Sequence, residues 1–340
     1  MLRVFLILLL IAALWLAWAL VLPLAPPGPQ VLLFSSGSSS KAIAAQLQSA
    51  GIVRSRFAFQ LLHHALPKRL LKAGEYRFDG PASGIAVFRR LGRGDVVIHT
   101  VVVPEGYNMF EIAAAIEAAG LGRKEDFLTV ATGETGLVHD FDPQAQSLEG
   151  YLFPDTYRFT RTMSMREMAA AMVRRFRKES QALGLQQNGL QQEGLQQNGL
   201  RQDAHRVVTL ASIVEKETAE PGERAEIASV YSNRLAKNMA LAADPTVVYA
   251  AQLRGGYRGT IYQSDLQSDS PYNTYRFAGL PPGPIANPGA ASLRAAMQPA
   301  QTGYLFFVAA GDGSGRHHFS ATFEEHARNV VAYRKALRDH

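Results

Sequence analysis

SLEGYLFPDTYRF, residues 147–159, sets one carboxylate, Glu149, among Leu148, Gly150, Tyr151, Leu152 and Phe153, then turns through Pro-Asp-Thr-Tyr. Such a setting admits two roles. The acid can cap the amides of the turn or pair with Arg158 or Arg161. It can equally serve as a general acid, because apolar surroundings disfavour the charged form and raise a carboxyl pKa. A glycosidic oxygen needs a donor that is still protonated near neutral pH, and flanking aromatic rings can stack on sugar faces. Asp155 is a candidate second carboxylate, although Asp in such a turn is more often a turn former.

Helical patterns surround this stretch. Asn108 and Glu111 form a capping-box pattern before FEIAAAIEAAG, and Ser164 with Glu167 opens a long helix to about Glu179. HRVVTLASIVEKET (205–218) predicts a helix with nearly apolar sides around Val207, Leu210, Ala211 and Val214. Near its end it carries Glu215 and Glu217, which can pair with an arginine such as Arg234, orient Glu149 or bind sugar hydroxyls. ERAEIASVYSNRLAKN (223–238) predicts another helix. From about residue 255, Gly, Pro, Asn and Tyr dominate, and SPYNTYRFAGLPPGPIANPGAASL (270–293) reads as one long irregular stretch. Loops of that length are uncommon unless functional or disordered, and the aromatics argue against disorder. Tyr272, Asn273 and Tyr275 can bond to and stack on glycan, or merely structure the loop. A strand, YLFFVAA, a Gly turn and a basic helix close the chain. From Gly184 a five-residue unit, GLQQN, GLQQE, GLQQN, GLRQD, matches neither the helical nor the strand period. It predicts a flexible insertion over 184–203 without chemistry of its own.

EGYLFPDTY (149–157), ASIVEKET (211–218), YSNRL (231–235), DPTVVYA (244–250), SPYNTY (270–275), GLPPGPIANPG (279–289) and HHFSATFEEH (317–326) occur in this order. Together they resemble the endolytic murein transglycosylase family, also called YceG-like, over roughly residues 31–335. The resemblance implies an endolytic lyase that cuts the MurNAc–GlcNAc β-1,4 bond within peptidoglycan strands, leaves 1,6-anhydroMurNAc ends and terminates nascent strands. It implies Glu149 as the catalytic acid; Tyr151, Asp155, Glu215, Glu217, Asn273 and Tyr275 are candidate substrate contacts by residue type and placement. No metal and no cofactor are expected. The chain departs from the family pattern in MALAADPT (239–246), where longer polar residues usually precede D-P-T. Two rival readings are a hydrolytic muramidase, with Asp155 or Glu217 activating water, and a non-enzymatic wall-binding scaffold for cell-wall synthases.

Residues 31–103 read as a smaller unit. VLLF is a short strand, GSSS caps a helix with Ile43, Leu47 and Ala50, and RFAFQLLHHAL (56–66) is a second helix. KAGEYRFDG gives a strand, Ser83 opens a short helix, and VVIHTVVV (96–103) is strand-like. This order resembles a LysM-like carbohydrate-binding module. Ahead of it, Val4 to Ala25 pass without a charge, enough to span a ~30 Å hydrocarbon core. Ala17-Trp18-Ala19 resembles a signal-peptidase site, but the apolar run outlasts a secretory h-region. An uncleaved anchor is expected, with the N-terminus cytoplasmic on the strength of Arg3 and the amino terminus.

The expected fold class is α+β: a single transmembrane helix (1–25), a linker and small LysM-like domain (26–103), and a larger mixed α+β catalytic domain (104–340). The expected place is the cell (inner) membrane, single-pass, with the catalytic domain periplasmic. The expected partners are peptidoglycan strands, the membrane and cell-wall synthases, with no nucleic acid. The net charge is +6, but the densest basic cluster, Arg174, Arg175, Arg177 and Lys178, shares its helix with Glu167 and Glu179. That pattern suits a solvated helix face. The absence of cysteine excludes disulfides, thiolate nucleophiles and lipid attachment at an N-terminal Cys.

Overall fold

The protein is described by a computed structural model covering residues 1–66, 70–185 and 203–339. The chain divides into two compact units, Met1–Thr100 with Arg158–Ser164, and Val101–Tyr157 with Met165–His340. The repeat insertion expected over 184–203 falls almost wholly outside the described residues.

The first unit begins with α1 (Leu2–Leu20), in which only Ala19 is buried. Among the described residues it is the one helix long and apolar enough to cross a membrane. At 1.5 Å per residue it spans about 28 Å. The apolar run through Ala25 stops being helix at Leu20, because Pro23 cannot donate and restricts the residue before it. Leu24 instead forms an antiparallel bridge with Ala82.

Next come β1 (Gln30–Phe34), α2 (Ser40–Ser49), α3 (Arg56–Ala65), β2 (Gly74–Phe78), α4 (Gly84–Arg93) and β3 (His99–Val103). β1 and β2 pair antiparallel with Gln30 opposite Phe78. The three short helices each start at a serine, Ser39, Ser55 and Ser83, whose Oγ accepts a backbone N–H three residues on. Such caps are worth about 1 kcal/mol each. Phe34, Leu47, Phe59, Tyr76, Phe88 and Leu91 form the core. The strand expected from Val96 begins only at His99, since Val96 packs on Gly74 and the Val97 N–H bonds to the Glu75 carbonyl outside any ladder.

The second unit contains α5 (Met109–Ala118), α6 (Lys124–Gly133), β4 (Asp155–Phe159), α7 (Met165–Leu183), α8 (Ala204–Glu217), α9 (Arg224–Ala236), α10 (Asp244–Leu253), α11 (Gln263–Leu266), α12 (Ala290–Met297), β5 (Phe306–Ala309), β6 (His317–Ser320) and α13 (Phe323–Asp339). β3 pairs with β4, and β5 with β6. α8 is the centre: every residue from Val207 to Val214 is buried. A helix apolar on all sides has to be packed on all sides, and α9 and α12 are among its neighbours. The irregular stretch before α12 is fastened to it, since Ser212 accepts the Ile285 N–H (3.0 Å) and donates to the Thr209 carbonyl. α6 and the helix over DPTVVYA were not read from the sequence, because neither has a clean apolar stripe.

Candidate active site

Glu149 sits in the turn between α6 and β4, and its neighbours explain the turn's composition. Gly150 has φ +88°, a left-handed conformation, and a Cβ there would lie 2.5 Å from Pro284 and 2.8 Å from Val208. Only glycine fits both the backbone and the space. Leu148, Tyr151 and Leu152 are fully buried. The Leu148 N–H donates to the Ala131 carbonyl and the Leu152 N–H to Asn287 Oδ1 at 2.8 Å. The turn is thus pinned from two directions.

The Glu149 residue is 1% exposed. Its carboxyl accepts the Met109 N–H at 3.0–3.1 Å and Asn287 Nδ2–H at 2.7 Å, and the Tyr249 hydroxyl is near enough to bear on its pKa. Met109 opens α5, whose preceding residue Asn108 and Glu111 form the expected capping box. A helix N-terminus favours a carboxylate. Burial nevertheless dominates and pushes the Glu149 carboxyl from its ordinary 4.5 up to about 8. The Met109 hydrogen bond and the Tyr249 hydroxyl oppose that rise, nearby Glu111 adds to it, and Asn287 opposes it. Among the described residues no ion pair joins Glu149 to Arg158 or Arg161, and Arg161 pairs with Glu75 (3.4 Å).

Tyr249 connects this buried acid to open space. It lines a cavity of about 330 Å³ together with Asn108, Glu111, Lys216, Asp244 and Gln252, among others. Its ring centroid is 5.2 Å from that of Tyr272, whose own hydroxyl is raised to about 12 by burial and by Glu149. A second cavity of about 300 Å³, lined by Arg206, Leu210, Ser229, Asn233 and Thr302 among others, holds no carboxylate and shares no lining residue with the first. Of these two cavities, the one beside Tyr249 carries the carboxylates, Glu111 and Asp244.

The other expected site residues have specific surroundings. Tyr151 is packed in the core and donates a short hydrogen bond to Asp142, so its ring is not offered to a ligand. Asp142 also binds His205 Nδ1 at 2.7 Å, and His205 Nε2 faces the Pro282 carbonyl at 3.0 Å. Two acceptors on the two ring nitrogens require an imidazolium. The hydrogen bond to Asp142 chiefly raises the His205 pKa, and although burial alone would raise Asp142, His205 and Tyr151 hold it below its ordinary value.

Asp155 is ion-paired to Arg175 (2.6 Å) and accepts the Thr156 N–H, so it stays ionised and ties β4 to α7. Glu215 accepts the Gly289 N–H at 2.9 Å and lies 3.4 Å from Arg224; the arginine is Arg224 and not Arg234, which binds the carbonyls of Leu305 and Leu241. Glu215 therefore holds the segment that carries Asn287. Glu217 accepts the Tyr231 hydroxyl at 2.6 Å, and burial pushes its carboxyl up to about 7. Asn273 is fully buried and bonds to the carbonyls of Leu266 and Ser268 and to the Tyr275 N–H, which shapes its loop. Tyr275 is 43% exposed and donates to Asp244 (2.7 Å), a residue of the cavity wall.

Tyr249 and Asn287 were not singled out from sequence. Both lie in quoted motifs, DPTVVYA and GLPPGPIANPG, and only folding brings residues 109, 149, 249 and 287 to one carboxyl. The arrangement can hold one proton on a buried acid at neutral pH, release it toward the cavity and take one back.

A model of the YceG-like family matches residues 33–332. The chain is 33% identical over 315 residues to an endolytic murein transglycosylase of Bacillus subtilis (strain 168), covering 88% of this chain and 83% of that protein. It is 28% identical over 325 residues to an endolytic murein transglycosylase of Streptococcus pneumoniae, covering 87% of this chain but only 57% of that longer protein. A crystal structure of a yceG-like protein from Listeria monocytogenes aligns with TM-score 0.55 and 31% identity, over 88% of this chain and 98% of the other.

Proposed function

The chain belongs to the YceG-like family, and we infer from that premise and from the site that it is an endolytic murein transglycosylase whose acid and base is Glu149. The observation that carries the assignment is a carboxyl that is buried, held by Met109 and Asn287, raised to about 8 and adjacent to Tyr249, a wall residue of the cavity. At pH 7 such a group is mostly protonated. It donates its proton to the glycosidic oxygen as the bond from C1 of MurNAc to O4 of GlcNAc breaks. The resulting carboxylate, held by Met109 and Asn287, then takes the proton of the muramoyl C6 hydroxyl as its oxygen bonds to C1. The products are a GlcNAc 4-hydroxyl and a 1,6-anhydro end, Glu149 is again protonated, and no water is consumed. One carboxyl suffices, whereas inverting hydrolysis needs a second to activate water. Asp155 is engaged by Arg175, and Glu217 by Tyr231.

Tyr249 stands between the cavity and Glu149, and Asp244 with Tyr275 offers glycan hydroxyls a polar edge. Tyr151, Asn273 and Glu215 act behind the site, holding its turn, its loop and the Asn287 segment. Glu217 keeps a protonatable carboxyl on α8. The order β1-α2-α3-β2, two helices between antiparallel strands, supports a LysM-like, glycan-contacting role for residues 26–103. The length and apolarity of α1 support a single-pass inner-membrane anchor, with Arg3 on the cytoplasmic side and residues 30–340 outside. Synthases that extend nascent strands are the fitting protein partners of an enzyme that ends them.

The test is digestion of uncrosslinked glycan strands in ¹⁸O-labelled water, with mass analysis of the new ends. Anhydro ends free of ¹⁸O are expected. Free reducing ends carrying ¹⁸O would identify a hydrolase, and no cleavage at all would favour a binding scaffold.

A further inference from the structure

The first 74 residues contain no aspartate or glutamate, and beyond α1 they carry Lys41, Arg54, Arg56, Lys68, Arg69 and Lys72. The unit they build is not loosely tethered to α1. Arg54 donates to the carbonyls of Leu22 and Pro23, and its guanidinium stands 5.5 Å from the centre of the Trp18 ring. Leu24 and Ala82 exchange both backbone hydrogen bonds, at 2.9 and 3.0 Å. Gly84, the first residue of α4, packs on Ala19 and Leu20, where a Cβ would meet them at 3.2–3.3 Å. The residues just beyond α1, Leu22 to Leu24, are therefore a fastened joint.

That joint fixes the height of α3. The helix begins two residues after Arg54, touches α1, and buries Ala58 and Phe59 completely. On its other side Phe57 is 64% and Leu61 53% exposed, four residues apart and thus on one face. The Arg56 guanidinium lies 4.9 Å over the Phe57 ring. Two large apolar side chains beside cations, level with a tryptophan at the end of an apolar span, match the composition of an interfacial helix.

We propose that α3 lies in the headgroup layer of the bilayer that α1 crosses, with Phe57 and Leu61 among the acyl-chain ends and Arg54 and Arg56 among anionic lipid phosphates. The proposal rests on the reading of α1 as an anchor. Continuity with the span decides for lipid as the occupant, since the joint leaves α3 next to the last turn of α1. The acid-free segment supplies the matching charge, each Lys or Arg near an anionic surface adding to the attraction. The small unit is then held against the membrane in one orientation.

Because the chain has no cysteine, single cysteines report without background. Full-length Leu14→Cys, Phe57→Cys and Leu61→Cys, each carrying an NBD fluorophore, would be reconstituted into vesicles of phosphatidylethanolamine and phosphatidylglycerol. Nitroxide-bearing lipids then read depth. The label at 14 should lose most of its fluorescence to mid-chain nitroxides, and the labels at 57 and 61 most of theirs to headgroup-level nitroxides. Replacing phosphatidylglycerol by phosphatidylcholine should reduce quenching at 57 and 61 and leave 14 unchanged. A quenched label at 14 with bright, water-exposed labels at 57 and 61 overturns the proposal and leaves the anchor standing. Quenching at 57 and 61 that ignores the lipid swap overturns the anionic surface as occupant. An unquenched label at 14 overturns the anchor reading and the proposal with it.

Discussion

Glu149→Gln should abolish most activity and at the same time stabilise the protein. The activity half follows from proton donation: an amide cannot supply the proton, and general-acid catalysis is worth on the order of 10² to 10⁴ in rate, or about 3–5 kcal/mol of barrier. The stability half follows from burial. In the unfolded chain this carboxyl ionises near 4.5, whereas in the folded protein it resists ionisation up to about 8. A carboxyl whose folded pKa is raised contributes stability that is whole below pH 4.5 and is lost as the pH climbs toward 8. At about 1.4 kcal/mol per pH unit, wild type should be about 3 kcal/mol less stable at pH 7 than at pH 4 on account of this group alone. Glutamine carries no such cost. Its Oε1 can accept from Met109 and Asn287, and its Nε2 can donate to the Tyr249 oxygen. Differential scanning calorimetry of both proteins from pH 4.5 to 8 should show the variant melting several degrees higher at the upper end, with the gap closing at the lower. Other titrating groups are common to both and cancel. Anhydro-muropeptide release, quantified by mass spectrometry, supplies the activity reading. Near wild-type release by Glu149→Gln, or a stability difference flat across this pH range, would refute the assignment of Glu149 as a buried, neutral acid.

Wild-type kcat/KM should fall as pH rises through about 8, and in Tyr249→Phe that limb should move upward, because the nearby Tyr249 hydroxyl holds the Glu149 pKa down; an unmoved limb would separate Tyr249 from the acid. The same variant should lose about tenfold in kcat through poorer positioning of the carboxyl. Gly150→Ala should cost about 3 kcal/mol in urea unfolding, from a left-handed backbone and a Cβ pressed on Pro284 and Val208. His205→Gln leaves Asp142 buried without its cation and should cost about 3 kcal/mol at pH 6. Since the His205 pKa is raised in the fold, the wild-type contribution is complete below 6.5 and lost as pH rises through the raised value, so the variant's deficit should shrink in alkali. Asp155→Asn removes a half-exposed ion pair with Arg175, should cost no more than about 1 kcal/mol, and should leave turnover per folded molecule intact.

Where a residue's role depends on its immediate neighbours in the chain, the sequence by itself was enough. The apolar period of α8, the serine caps of α2 and α4, the capping box at Asn108 and the apolar surroundings of Glu149 are all local patterns, and all are present in the fold. The motif series carried the family for the same reason, since order along a chain is a property of sequence. Burial depth and partnership are different, because they depend on which distant segments arrive at the same point. Tyr151 looked like a sugar platform from its neighbours, yet α7 supplies Phe176 against its ring and residue 142 takes its hydroxyl. Asn273 and Glu215 looked equally available until the carbonyls and the Gly289 amide that occupy them were in place. Tyr249 and Asn287 carry no local signal, and they matter only because chain closure over a hundred residues or more brings them to the Glu149 carboxyl. The apolar run from Val4 to Ala25 was legible as a length, but its last residues turn out to be a joint. That distinction was made by Arg54 and Ala82, which no period in the first 25 residues could foretell.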